Sequence, residues 1–281
     1  MLYLRPPVAA GTFYDLDPNR LKKQIEASFK KAEEKKKKKM QKFDVAVVPH
    51  AGYMYSGWVA AKVYSMLGAK KPMNFIILGT NHYMFGSKYA IMKRGLWKTP
   101  LGAATVHESV ASRLLERCEL LENDVIPHQN EHSIEVQLPF LQYIFGDKFK
   151  FVPISIACDI ADNALVDDCR IIGKSIAGAV KSSKENWIIL ASSDFSHYVP
   201  QKLAEEVDAY IIKSILRLDE KMFIDRVIEK NASVCGFGGI ATAIVAAKML
   251  GSKKGKLLKY ATSADITGDR SAVVGYASIT M

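Results

Sequence analysis

The chain contains 281 residues, 49% of them hydrophobic and 24% charged, so it has ample apolar material for a packed core and is not globally disordered. Its formal net charge of +10 would suit a protein that binds nucleic acid or a membrane surface. However, no apolar run approaches the ~20 residues that span a bilayer, which argues against membrane-spanning helices.

Much of the positive charge lies in one lysine-rich segment, residues 30–42, which carries eight Lys and two Glu. The segment lacks the interleaved aromatic residues that stack on bases. We therefore predict the end of a solvated helix that passes into a loop, with no role in nucleic-acid binding.

After this segment, short apolar runs alternate with longer helix-like stretches. The runs are rich in β-branched residues and do not alternate with polar residues, which is typical of strands buried on both faces. The predicted strands are 44–48, 74–78, 149–156 and 187–190, and the predicted helices are 57–67, 107–117, 131–145, 161–180 and 203–216. This order predicts right-handed crossovers and a mostly parallel central sheet flanked by helices.

The C-terminal part of the chain has a different pattern. Residues 236–250 are rich in small side chains and predict a closely packed helix, and residues 257–263 and 272–279 predict two strands joined by a hairpin-type connection. We find neither an internal repeat nor a long linker rich in Pro, Gly or Ser. The sequence therefore predicts a single α/β domain over residues 1–281.

Three of the predicted strands are each followed within a few residues by a histidine: His50, His82 and His197. In open parallel sheets, the loops that leave the carboxyl ends of the strands converge on one crevice, where ligands bind. Imidazoles gathered there can bind a metal ion or act as general acids and bases near neutral pH. Asp194, which precedes His197 by three residues, could orient an imidazole, hold a proton or cap the following turn.

Residues 128–132 match the H-x-x-E-H string of a class of zinc peptidases, in which two histidines on one helix bind zinc and the glutamate activates water. A proline before the string and an asparagine within it indicate that the helix begins near Glu131, which leaves His128 in the preceding loop. His132 and Glu135 would then share one helix face. A metallo-hydrolase is therefore only an alternative.

The four cysteines, Cys118, Cys158, Cys169 and Cys235, form no Cys-x-x-Cys pair, which argues against a zinc ribbon and a disulfide scaffold. The first residues do not resemble a signal peptide, so we expect a reducing, cytoplasmic location. Cys235 precedes the small-residue helix, whose dipole and free N–H groups would favour a thiolate that binds a metal or acts as a nucleophile. It could also simply fill a small gap in the core.

Together, these strings resemble the Memo family, named for a mediator of cell motility. The residues that carry the resemblance follow the family's order along nearly the whole chain: Arg5 to Tyr14, Pro49 to Tyr53, Leu78 to His82, Glu131 to Phe140, Ser192 to Tyr198, and Cys235-Gly236. The family is similar in fold to class III extradiol dioxygenases, non-haem iron enzymes in which two histidines and one carboxylate hold Fe(II).

The resemblance implies that His50 and His82 are metal ligands, and that Cys235 stands where the dioxygenases supply the carboxylate. It implies that His197 is the acid/base histidine beside the metal, and we assign proton handling to His197 and Asp194. Further candidates for the pocket are Tyr53, His132 and Glu135. A set of two histidines and a thiolate suits iron or copper, and also zinc, but the missing carboxylate argues against ring cleavage.

The leading hypothesis is therefore a metal-binding redox protein with a dioxygenase-like site. The alternative from another class is a non-catalytic module that binds a peptide or small molecule in the strand-end pocket. A cysteine hydrolase that uses Cys235 and His197 is a weaker alternative. The resemblance also implies an association with a radical S-adenosylmethionine protein.

Overall fold

The computed structural model describes residues 3–33, 42–68, 73–157 and 161–281. Within these residues the chain forms twelve strands: Leu4–Arg5 (β1), Val45–Val48 (β2), Asn74–Thr80 (β3), Tyr89–Ile91 (β4), Leu96–Thr99 (β5), Gly102–Val106 (β6), Glu122–Asn123 (β7), Lys150–Ile156 (β8), Trp187–Ser192 (β9), His197–Val199 (β10), Lys256–Thr262 (β11) and Val273–Thr280 (β12). The same residues form ten α-helices: Pro18–Ala32 (α1), Tyr53–Tyr64 (α2), Glu108–Arg117 (α3), Ile126–Gln129 (α4), Leu138–Phe145 (α5), Asn163–Lys181 (α6), Gln201–Leu216 (α7), Glu220–Glu229 (α8), Phe237–Leu250 (α9) and Ala264–Thr267 (α10).

The centre of the sheet consists of five parallel strands in the order β6-β8-β3-β9-β2. Antiparallel strands extend it on both sides, because β5 pairs with β6 at one end and β12 pairs with β2 at the other. Since β9 lies between β2 and β3, the carboxyl ends of these three strands are neighbours on one edge of the sheet. The predicted α/β fold with a mostly parallel sheet flanked by helices is confirmed.

Successive residues of the central strands enter opposite hydrophobic cores. Val45 and Val47 of β2 pack on one side of the sheet with residues of α3, α6, α7, α8 and α9. Ala46 and Val48 pack on the other side with residues of α1, α2 and α5. Burial on both faces explains why these strands lack polar alternation.

The predicted helix over residues 131–145 is shorter in the structure. Residues 130–134 are not helical, Glu135–Gln137 form a short 3-10 helix, and α5 begins at Leu138. The carboxylate of Glu131 accepts the main-chain N–H of Ser133 at 2.8 Å, a local hydrogen bond that competes with helix formation. The prediction therefore placed the helix start too early.

Two other regions bear on the sequence predictions. β11 and β12 pair antiparallel as predicted, although their connection contains the short helix α10. Most of the lysine-rich segment, residues 34–41, lies outside the described residues, as does Cys158. Across the described ranges, no helix has the length and apolar composition needed to cross a membrane.

Candidate metal site

The candidate site lies at the carboxyl ends of neighbouring parallel strands. His50 follows the end of β2 by two residues, and His82 follows the end of β3 by two residues. Because β9 alone separates these strands, both loops leave the same edge of the sheet. The two ring centroids lie 5.3 Å apart and the rings are nearly perpendicular, at 88°.

Cys235 reaches the same place from the loop before α9. Its Sγ lies 3.2 Å from Nε2 of His50 and accepts the main-chain N–H of Asp194 at 3.2 Å. The close approach depends on Gly236, where an added Cβ would lie 2.7 Å from a carbonyl oxygen at the end of β9. Donor atoms of His50, His82 and Cys235 all lie within 4.8 Å of one another.

A buried carboxylate, Glu131, holds His82. It accepts the main-chain N–H of His82 at 2.8 Å and the ring Nδ1–H of the same residue at 3.0 Å. Since an ionised carboxylate only accepts, Nδ1 of His82 carries a proton, so Nε2 is the nitrogen that can bind a metal ion. A carboxylate on the far nitrogen of a ligating histidine is the usual arrangement in metal sites.

His132 extends the cluster on the other side of His82. Its ring stacks between Phe13 and His82, with centroid distances of 4.2 Å and 4.7 Å. Its Nδ1 lies 3.3 Å from the Glu131 carboxylate, so His82, Glu131 and His132 form a second group of candidate metal ligands. The segment that carries Glu131 and His132 approaches β3 closely because Gly79 of β3 has no side chain. An added Cβ there would lie 2.4 Å from a side-chain atom of Ile134.

Two buried histidines of the site, His50 and His132, are neutral, whereas its glutamate is charged. Burial, together with the neighbouring His82, lowers the pKa of His50 to about 3, and burial together with His50 lowers that of His132 to about 3. Burial alone would raise the pKa of Glu131, but the hydrogen bond from His82 and the nearby His132 lower it to about 2. Glu131 is therefore a buried anion whose side-chain partners are histidines.

The thiol and the aspartate of the site are both affected by burial. Burial, reinforced by Asp194, raises the pKa of the Cys235 thiol. Burial also raises the pKa of Asp194, whose Oδ1 accepts the main-chain N–H of His50 at 2.9 Å. The other oxygen, Oδ2, lies 4.0 Å from Nε2 of His50. Asp194 thus contacts two proposed ligands. Its carboxylate accepts from the main chain of His50, and its main-chain N–H donates to Sγ of Cys235.

His197 begins β10 and is held by Ser233. Its main-chain N–H donates to Oγ of Ser233 at 2.8 Å, and its Nδ1 lies 2.6 Å from the carbonyl oxygen of Ser233. Because a carbonyl oxygen only accepts, Nδ1 carries a proton, which leaves Nε2 as the nitrogen that can exchange protons. His197 hydrogen-bonds neither His50 nor Cys235.

Exposed aromatic side chains follow two of the site histidines in the chain. Tyr83 and Phe85 come after His82 and are 52% and 66% exposed, and Tyr198 comes after His197 and is 79% exposed. Met84 and Tyr198 both have a φ of 56°, a left-handed backbone that is strained for residues other than glycine. Strain of this kind often accompanies ligand-binding loops.

The structure places two of the further pocket candidates elsewhere. Tyr53 is buried and donates its hydroxyl proton to the carbonyl oxygen of Val136 at 2.6 Å. Glu135 is buried against Arg5, with Oε2 at 2.5 Å from the guanidinium. Of the three additional candidates, only His132 lies with His50 and His82.

The H-x-x-E-H string does not form the helical site of a zinc peptidase. His128 lies in α4, separated from His132 by non-helical residues, and its ring packs against Trp97 with centroids 5.7 Å apart. The string nevertheless marked Glu131, which sequence reasoning left out of the site. Ser192 and Gln137 lie within the strings that carry the family resemblance, but no pattern gave either one a role; they lie in hydrogen-bonded contact behind His50.

Comparisons with known proteins agree with the sequence resemblance. A family model described as "Memo-like protein" matches residues 5–280. A MEMO1 family protein from Methanopyrus kandleri is 42% identical, and the alignment covers 98% of each chain. Another, from Sulfolobus acidocaldarius, is 43% identical with the same coverage. A crystal structure of an uncharacterised Escherichia coli K12 protein matches with a TM-score of 0.53 at 12% identity, covering 85% of this chain and all of that one, which shows the fold alone. The chain therefore belongs to the Memo-like protein family.

Proposed function

We propose that the chain is a metal-binding redox protein in which His50, His82 and Cys235 hold one iron or copper ion. The observation that carries the proposal is the convergence of three donor atoms within 4.8 Å of one another. The set contains two imidazoles and one sulfur, which suits copper and zinc as well as iron.

The charge of the site supports a cation. Glu131 is 1% exposed and ionised, and its partners are main-chain N–H groups and two imidazoles. Of the ion pairs formed within the described ranges, none joins Glu131 or Asp194 to Lys or Arg. A buried anion without a fixed cation is costly, and a metal ion would provide the missing positive charge.

The state of Cys235 favours a ligand over a free nucleophile. Its thiol has a raised pKa because it is buried and lies near Asp194, so without a cation it stays protonated. A metal ion deprotonates the thiol that binds it, whereas a cysteine hydrolase needs the thiolate before it attacks its substrate. The cysteine-hydrolase alternative is therefore less compatible with this environment.

A bound iron or copper ion would supply electron-transfer chemistry and open coordination positions, as in two-histidine sites of dioxygenases. The chain's own residues would do the rest. His197 offers Nε2 as an acceptor for a proton, and Asp194 holds His50 through its main-chain N–H. The exposed Tyr83, Phe85 and Tyr198 would contact a small molecule or peptide that approaches the site.

Metal analysis tests the proposal directly. Protein purified without chelator, then loaded anaerobically with Fe(II) or with Cu(I), should retain a single ion per chain. His50→Ala and His82→Ala should lose most of it, because each removes one of three donors. His107→Ala is the matched control, since that ring pairs with the partly exposed Glu185 at 2.9 Å outside the donor set. Retention of parental metal content by His82→Ala would overturn the ligand assignment.

A second candidate function is a binding module without chemistry. The exposed aromatic residues beside His82 and His197 favour it, because such side chains suit ligand contact without any role in catalysis. Oxygen consumption by the iron-loaded protein with a chemical reductant distinguishes the two functions. Metal-dependent turnover eliminates the module, and its absence with ascorbate and with catechols supports it.

A further inference from the structure

A buried hydrogen-bond network lies behind His50. It consists of side chains of Tyr64, Gln137 and Ser192, and all three are at most 1% exposed. Sequence reasoning assigned no role to them. The network reaches Nδ1 of His50, the ring nitrogen that does not face Cys235.

The orientation of the Gln137 amide is fixed from two sides. Its Nε2 lies 3.0 Å from the carbonyl oxygen of Pro49, which only accepts, and its Oε1 accepts the hydroxyl of Tyr64 at 2.6 Å. The second N–H of the amide then donates to Oγ of Ser192 at 2.8 Å. Gln137 therefore presents a donor to Ser192.

The hydroxyl of Ser192 has one proton, and that proton is already used. Oγ lies 2.7 Å from the carbonyl oxygen of Ser133, which can only accept, so Ser192 donates there. The remaining contact of Oγ is Nδ1 of His50 at 3.0 Å. The hydrogen of this contact must come from the imidazole, because no other proton is left.

From this network we infer that Ser192 is a positioning residue that fixes His50 as the Nδ1–H tautomer. Nε2 then carries its lone pair toward Sγ of Cys235, 3.2 Å away. A metal ion held between His50 and Cys235 would bind that lone pair. The assignment deepens the metal-binding function proposed above and rests on it only for the effect on affinity.

The tautomer can be measured without any metal. In ¹⁵N-histidine-labelled, metal-free protein, the His50 ring should show a protonated Nδ1 and an unprotonated Nε2. Ser192→Ala removes the hydroxyl acceptor and leaves only the main-chain carbonyl of residue 192 beside the ring, so the ring should shift toward the Nε2–H tautomer, with Asp194 Oδ2 4.0 Å from Nε2 as an acceptor. Zn(II) affinity, measured by chelator competition, should fall by roughly 10- to 100-fold, as for other residues that orient metal ligands.

Ser278→Ala is the matched control, because this buried serine also donates to a carbonyl oxygen, that of Val59 at 2.5 Å. It should change neither the His50 tautomer nor the Zn(II) affinity. An Nε2–H tautomer in the unmodified protein overturns the inference, even if Ser192→Ala fails to fold. An unchanged tautomer in folded Ser192→Ala overturns it too. A wild-type Nδ1–H ring with no Zn(II) binding would instead overturn the metal function and leave the tautomer assignment standing.

Discussion

Glu131 and Glu135 lie four residues apart and are both buried, yet their charges are compensated in different ways. Glu135 is 0% exposed and accepts hydrogen bonds from Arg5, from the main-chain N–H groups of Val8 and Ala9, and from Tyr14. Glu131 accepts hydrogen bonds from His82 and Ser133, with His132 close by.

The difference separates a structural ion pair from a site that lacks a cation. Arg5 is permanently charged and also donates to main-chain carbonyl oxygens of His128 and Glu131, at 2.5 Å and 2.6 Å. Through Arg5, strand β1 therefore holds the segment that carries both glutamates in place. The carboxylate of Glu131 contacts the imidazoles of His82 and His132 instead of an arginine or lysine, which leaves its side of the segment able to accept a metal ion.

The largest expected effect comes from removing the fixed cation. Arg5→Ala leaves the charge of Glu135 buried and unpaired, so the free energy of unfolding should fall by about 3–5 kcal/mol. Urea unfolding measures it. The control is Arg170→Ala, whose side chain is 40% exposed and pairs with Glu220 at 2.9 Å. That variant should lose about 1 kcal/mol or less, because Arg170 is partly exposed and Glu220 keeps its second partner, Lys248. Equal losses in the two variants would contradict a structural role for Arg5.

The second largest effect is expected when the carboxylate of Glu131 is replaced. Glu131→Gln replaces one acceptor oxygen by an NH₂ group that opposes the N–H donors of His82 and Ser133, so His82 loses its fixed orientation. We expect Zn(II) affinity to fall by roughly 10- to 100-fold. Glu185→Gln is the matched control, because Glu185 also pairs with a histidine, His107, and should leave the affinity unchanged. An unaltered affinity in Glu131→Gln would remove the distinction between the two glutamates.

Much of the fold could be predicted because it depends on short-range patterns. Four apolar runs predicted four of the five parallel core strands, and the histidines after two of them predicted the position of the candidate site. The approach of His50 to His82 follows from strand order, since β9 separates their strands and aligns their carboxyl ends.

The roles of Glu131 and Glu135 could not be predicted, because they depend on long-range contacts. A helix over residues 131–145 would have put His132 and Glu135 on one face. In the structure, Glu131 accepts a local hydrogen bond from Ser133, whereas Glu135 pairs with the distant Arg5. The two glutamates therefore face different partners. Ser192 acquires its role from carbonyl oxygens that sequence patterns do not reveal.

The smallest expected effect is a pH dependence of stability that comes from His128, which lies beside Arg5. His128 is fully buried, and burial followed by the charge of Arg5 lowers its pKa to about 3. Since the unfolded pKa is near 6.5, the unfolded chain binds the extra proton as the pH falls below that value, and the folded state loses stability. Between pH 7 and pH 5.5, the wild type should lose about 1 kcal/mol more than His128→Leu in urea unfolding. Equal losses would mean that His128 gains its proton inside the fold, so the neighbourhood of Arg5 would tolerate a second positive charge. Glu131 and Glu135 would then no longer differ in whether the charges around them are already compensated.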